Sequence, residues 1–231
     1  MFQEAYRFPV AFKRMDMQTH PQIQATNHVA DFVFAEDGYD RLLILYYAGH
    51  GDSDPNDAGG LLLSGRSPDN EAERDMAVEW RGVEAILSNA KADTLVIFDC
   101  CYAGALRPPI RQSGRLIQYV AACRAMERTK SAGPESLTTA MIWALERLAD
   151  TPGFSVGQLV RMLMRYEHFP RQTQEAVVSG VGLDRGDDGI WIMPGANASH
   201  SEREDQPQGL WAKVKYMASQ LASVCYDTLF D

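Results

Sequence analysis

Leu42-Leu43-Ile44-Leu45-Tyr46-Tyr47 and Thr94-Leu95-Val96-Ile97-Phe98 are the two stretches whose reading decides the fold. Each is a short, unbroken apolar run of mostly β-compatible residues, the pattern of a strand buried on both faces. Such strands belong to parallel sheets, which need helical crossovers to cover them. Helical spacing is found beside both runs. Ile23, Val29, Phe32 and Val33 recur between Gln22 and Glu36, and Val83, Ile86 and Leu87 line one side of Trp80 to Ala90. Asp37-Gly38 supplies turn chemistry between the first helix and its strand. Strand alternating with helix predicts an α/β domain with a mostly parallel sheet and helices on both faces.

Working outward, Phe8, Val10 and Phe12 alternate as an early strand does, and Leu61-Leu62-Leu63 is a short apolar run after a Gly-, Asp- and Pro-rich loop from Gly49 to Gly60. Leu116 to Ala122 predicts a third buried strand. Helices follow at Ser136–Ala149 and Ser155–Tyr166, each opened by a serine able to cap it. A final strand pair is expected at Ala176–Val181 and Gly189–Met193, joined by the acidic turn Asp184–Asp188. Residues 1–194 then form one domain, and the small and polar residues 195–209 a linker. Trp211, Val214, Ala218, Leu221 and Cys225 fall at three- and four-residue intervals. They predict an amphipathic helix over 210–231 that docks on the domain or binds a protein partner.

Composition excludes several classes. A formal charge of −9 opposes non-specific nucleic-acid binding, because phosphates are repelled on average. No apolar run reaches the length of a membrane span, and Met1-Phe2-Gln3-Glu4 lacks the basic start and apolar core of a secretory signal. The cysteines are Cys100, Cys101, Cys123 and Cys225. Adjacent cysteines bridge only under strain, and no pair has the two-residue gap of a zinc or redox motif. A reducing, cytoplasmic setting without metal or disulfides is the expectation.

Both buried strands run into reactive side chains: Ala48-Gly49-His50-Gly51-Asp52 after the first, Asp99-Cys100-Cys101-Tyr102-Ala103-Gly104 after the second. The carboxyl ends of parallel strands share one sheet edge, where sites form. Neighbouring strands lie about 4.8 Å apart, so an imidazole at one tip can take the proton of a thiol at the other. Gly49 and Gly51 let the backbone turn without blocking a substrate, and the N–H groups of Gly51 and the nucleophilic cysteine can face a developing oxyanion.

This combination resembles the caspase-like cysteine peptidases, in particular metacaspases and their fungal and bacterial relatives. Caspases place the histidine about 50 residues before the nucleophile, and here the separation is 101 − 50 = 51. Tyr46-Tyr47-Ala48-Gly49-His50-Gly51-Asp52 looks like the family's histidine strand. Asp99-Cys100-Cys101-Tyr102-Ala103-Gly104 looks like its Asp-x-Cys-x-x-Gly segment, which puts the nucleophile at Cys101 and not Cys100. Softer likenesses are Val120-Ala121-Ala122-Cys123-Arg124, Thr139-Ala140-Met141 through Leu148, and Pro170-Arg171-Gln172-Thr173, so that residues 8 to 194 are covered. The resemblance implies a three-layer αβα sandwich and an endopeptidase that forms a thioester acyl-enzyme. His50 and Cys101 are its catalytic dyad, and Gly51 and Cys101 its oxyanion hole. It also implies a pocket for Arg or Lys before the cut, lined by Asp99, and a carboxylate at a pocket floor agrees physically with a basic residue. The alternative for Asp99 is a cap at a strand end.

The chain departs from that pattern in three ways. Ala125 and Met126 stand where many relatives carry a further acid, with Glu127 beside them. Against the family's pattern the sheet is expected to begin at the second strand, so that either the domain is N-terminally incomplete or the first segment of the chain replaces the missing strand. No acidic cluster matches the metacaspase calcium site. Asp52-Ser53-Asp54-Pro55-Asn56-Asp57 has Asp57 where a calcium-binding EF-hand loop needs Gly and Leu63 where it needs Glu, so it reads as a solvated loop. Arg107, Arg111 and Arg115 lie in a loop open to self-cleavage or simply charged, and His20, His28, His168 and His200 fall outside the motifs. The alternative function is a non-catalytic caspase-like scaffold that signals through protein partners. A nucleotide-binding α/β fold is disfavoured, since no Gly-rich phosphate loop follows the first strand.

Overall fold

A computed structural model describes residues 6, 8–57, 59–65, 76–109, 115–171, 173–180 and 189–193, together with the backbone of 213–220. The two runs that opened the sequence reading form β2 (Arg41–Ala48) and β6 (Asp93–Asp99), which pair in parallel from Leu42 with Asp93 to Ala48 with Asp99. Between them the chain makes the small antiparallel strands β3 (His50–Ser53), β4 (Leu61–Ser64) and β5 (Val78–Glu79), then helix α2 (Trp80–Ser88). Ahead of β2 come β1 (Val10–Lys13) and helix α1 (Pro21–Glu36). After β6 come a single 3₁₀ turn at Ala103–Ala105 and β7 (Ile117–Ala121). Helix α3 (Leu137–Leu148), β8 (Phe154–Ser155), helix α4 (Val156–Leu163), β9 (Val177–Gly180), β10 (Trp191–Ile192) and β11 (Lys213–Gln220) complete the order.

The main sheet has the order β1-β11-β2-β6-β7-β9, parallel throughout except for β9. Period-two alternation divides its side chains between two cores. Leu42, Ile44, Leu95 and Ile97 pack with Leu137, Met141 and Leu145 of α3 and Leu159 and Leu163 of α4. Leu43, Leu45, Val96 and Phe98 pack on the other face with Val29 and Phe32 of α1 and Trp80, Val83 and Leu87 of α2. The domain is therefore α/β, with helices on both faces of a mixed, mostly parallel sheet. The predicted serine caps form. Ser136 Oγ accepts from Thr139 N–H, and Ser155 closes a capping box with Gln158.

Three expectations are corrected. Residues 213–220 are a strand, not part of an amphipathic helix over 210–231. β11 lies between β1 and β2 and pairs with both, Tyr216 with Val10 on one side and with Ile44 on the other. The sheet position that the sequence left without a strand is thus filled from the C-terminal region; the rest of 195–231 lies outside the described residues. Second, β9 and β10 do not pair with each other. β9 joins the main sheet antiparallel to β7, while β10 pairs with β8. Their expected turn at 184–188 lies outside the described residues. Third, the loop expected from Gly49 to Gly60 begins as a hairpin arm, because His50–Ser53 is a strand paired with Leu61–Ser64.

Candidate functional site

The site is built at the carboxyl ends of β2 and β6, and the register between them determines what meets. Ala48 is directly opposite Asp99, and Gly49 N–H donates to Asp99 O at 3.3 Å. His50 and Cys101 therefore stand at matching positions, two residues beyond the last paired couple. The chain after His50 also lies against the nucleophile segment. A Cβ placed on Gly51 would be 2.4 Å from the Cys101 carbonyl oxygen and 2.9 Å from Cys100 Sγ. A side chain there would force the hairpin away from the nucleophile segment. Tyr47, buried under the hairpin, has its hydroxyl 2.7 Å from His50 O and 3.2 Å from Ser64 O, tying the histidine backbone down.

Hydrogen-bond alternation along β3 leaves one amide off the ladder. Asp54 N–H donates to Gly60 O, so Asp52 with Leu62 and His50 with Ser64 are the hydrogen-bonded pairs. Gly51 with Leu63 is a non-hydrogen-bonded pair, and the Gly51 N–H points away from β4. Among the described residues no group accepts from Cys101 N–H either. Both amides named for the oxyanion hole are thus free of the ladder. Burial holds the His50 imidazole below the ordinary histidine value, which keeps it neutral near pH 7.

Cys101 is partly exposed, whereas Cys100 and Cys123 are fully buried. Burial pushes the Cys100 thiol far up, and pushes Cys123 to about 11, so neither is a nucleophile at neutral pH. Cys101 Sγ accepts from Thr129 N–H at 3.3 Å and lies 3.7 Å from Thr129 Oγ1. Tyr102, next in the chain, has φ 62° and donates its N–H to Glu127 O at 3.0 Å. Gly104 is wedged so that a Cβ there would be 2.2 Å from Cys123 O.

Asp99 is partly exposed at the N-terminus of α3. Its Oδ2 accepts from Thr138 N–H at 3.0 Å, from Thr138 Oγ1 at 2.5 Å and from Tyr46 hydroxyl at 3.4 Å. Burial raises its carboxyl above the usual range, and these bonds pull the other way. One oxygen of Asp99 is thus held by the first turn of α3, whose N-cap is Ser136, and among the described residues no group donates to Oδ1. Glu127 is not directed to a pocket: its Oε2 accepts from Arg124 N–H and closes its own turn, while Met126 points outward at φ 64°.

The remaining residues singled out in the sequence fall away from this edge. Asp57 pairs with Arg81, and among the described residues no three or more His, Cys, Asp or Glu are grouped to hold a metal ion. Arg115 is tied to Asp93 and packs on the Tyr39 ring; Arg107 bends back on the carbonyl oxygens of Gly104 and Leu106; Arg111 lies outside the described residues. His20 precedes α1, His28 is on α1 with its imidazole lowered by burial, and His168 sits beside Glu167. His200 lies outside the described residues. Among them no helix is long and apolar enough to cross a membrane.

No family model matches this chain, and no curated protein does. Its fold is similar to the crystal structure of protein GSU0716 from Geobacter sulfurreducens. The likeness covers 76% of this chain and 79% of that one, with a TM-score of 0.52 and 13% identity. At that identity it speaks to the fold and not to the chemistry.

Proposed function

We propose that this chain is a caspase-like, metacaspase-type cysteine endopeptidase that cuts after Arg or Lys. The observation that carries the reading is the matched register of His50 and Cys101, with the backbone of Gly51 in contact with the Cys101 carbonyl. In this reading neutral His50 takes the proton of Cys101, and the thiolate attacks the substrate carbonyl carbon. The N–H groups of Cys101 and Gly51 face the oxyanion, where preorganised donors contribute most. The imidazolium then gives its proton to the leaving amine, and water, deprotonated by the same imidazole, hydrolyses the thioester. Asp99 Oδ1 is the acceptor for a substrate guanidinium or ammonium, with Oδ2 held by Thr138 and Tyr46.

Fluorogenic peptides ending in Arg, Lys or Asp, assayed under reducing conditions across calcium concentrations, test the proposal. Wild type should cleave the basic reporters and spare the acidic one. C101A and H50A should lose at least about a thousandfold in kcat/KM, and C100A should keep most of it. Wild type inert at every calcium level, or turnover surviving in C101A, would overturn the endopeptidase reading in favour of a non-catalytic scaffold.

A further inference from the structure

The peptidase reading accounts for His50, Cys101 and Asp99, but not for the segment after β7 that reaches back over the sulfur. Arg124 to Lys130 is fixed at four points. Glu127 O accepts from Tyr102 N–H, Cys123 Sγ lies 3.3 Å from Glu127 O, Arg128 Nε is 3.3 Å from the Tyr102 hydroxyl, and Lys130 N–H donates to Gln174 Oε1 at 3.1 Å. Gln174 is buried, and its Nε2 has no partner. A buried amide left half satisfied is unfavourable. Tyr102 and Met126 both hold left-handed backbone without being glycine, a conformation unfavourable to residues with a side chain. Three unfavourable features therefore surround one strap, and what the strap delivers is Thr129 against Cys101.

We infer that Thr129 is a catalytic residue whose backbone N–H and hydroxyl hold the Cys101 sulfur as a thiolate, and that Gln174 is a positioning residue which acts by anchoring the strap at Lys130. The inference rests on Cys101 being the nucleophile of the proposed peptidase. A donor on sulfur favours the charged form over the neutral one, as hydrogen bonds to anions do. The Thr129 amide at 3.3 Å and hydroxyl at 3.7 Å meet the sulfur together. Arg128, one residue earlier, is an exposed guanidinium whose charge interacts with the same sulfur, so the strap adds a positive field to the two donors.

Thiolate stability can be read without any substrate, through iodoacetamide alkylation of the full chain with Cys101 resolved from Cys100 by tandem mass spectrometry. T129V should slow Cys101 alkylation at pH 7 by about three- to tenfold and approach the wild-type rate at pH 10. T129S should keep at least about half of the wild-type rate at pH 7. Q174L should show the T129V pattern more weakly. T129A gives the same reading if valine disturbs the fold, with near-ultraviolet circular dichroism reporting the packing. A wild-type rate in T129V and T129A at pH 7, or an equal slowing at both pH values, would overturn the inference. If alkylation follows the prediction while no peptide is cleaved, the peptidase reading fails and takes the catalytic role of Thr129 with it, leaving only its hold on the thiolate; if peptides are cleaved and alkylation ignores Thr129, this inference alone fails.

Discussion

The tip of β6 and the tip of β2 carry the two halves of the proposed site and are held in different ways. At β6 the chain is wedged: Gly104 abuts the backbone of Cys123 and Arg124, Tyr102 is locked at positive φ, and the sulfur of Cys101 is held by Thr129. At β2 it is paired: His50 continues into a hairpin arm whose contacts are the β3–β4 ladder and the Tyr47 hydroxyl. A wedge fixes position through repulsion that backbone atoms cannot relieve, whereas a ladder fixes it through bonds that can lengthen. Gly51, whose Cβ position abuts Cys101 O from the hairpin, is where the two regimes touch.

Substitutions at the glycines should break this contrast most visibly. G104A forces a Cβ against Cys123 O and the Arg124 backbone; overpacking of this kind costs about 1–3 kcal/mol, read as a lower denaturant midpoint. G51A meets Cys101 O and Cys100 Sγ and should cost less, on the order of 1–2 kcal/mol, because the hairpin can tilt away. Its tilt should lower peptide hydrolysis far more than its stability loss implies. Equal stability losses with unchanged hydrolysis in G51A would erase the distinction between wedge and ladder.

A smaller effect is expected at Asp99. T138V removes the hydroxyl from Asp99 Oδ2 while leaving the helix N–H, so stability should fall by about 1 kcal/mol. Reporter preference for Arg and Lys should persist, since Oδ1 is untouched. Loss of that preference would mean that the capping oxygen, not the open one, meets the substrate.

The smallest effect is on pH dependence. Burial lowers the folded-state His50 imidazole below its ordinary 6.5. Between those two values the unfolded chain binds more protons at this residue than the folded one. His50 therefore contributes stability that is present above pH 6.5 and lost as pH falls through the folded value. The acid limb of kcat/KM should accordingly lie below pH 6.5, and H50Q should lose that part of the acid-induced drop in stability. An acid limb above pH 6.5 would place the imidazole in a more solvated or anionic setting than the hairpin provides.

Much of the frame was legible because burial on two faces writes itself as unbroken apolar sequence, as in Leu42–Tyr47 and Thr94–Phe98, and because Ser136 and Ser155 cap by local bonds. Misreadings arose where pairing is non-local. The spacing of Val214 and Ala218 fits a helix face, but Lys213–Gln220 has strands on both sides, and two ladders outweigh a weak local preference. His50–Ser53 has no apolar signature and becomes a strand through Leu61–Ser64. The β9–β10 hairpin failed because each strand found a distant partner. For the proposed site, the placement of His50, Cys101 and Asp99 at the ends of β2 and β6 could be read from the two apolar runs. Thr129 and Thr138 could not, since they reach Cys101 and Asp99 across 28 and 39 residues with ordinary polar side chains in loop and helix positions.

The most direct test of the central claim is covalent trapping. A peptidyl acyloxymethyl ketone ending in Arg, incubated with wild type, H50A and C100A and followed by intact mass and peptide mapping, reports whether imidazole and sulfur act together on a substrate-like carbonyl. The account predicts one adduct per chain on Cys101 in wild type and C100A, and labelling at least about a hundredfold slower in H50A. An adduct on Cys100 or Cys123, or H50A labelled as fast as wild type, would contradict it.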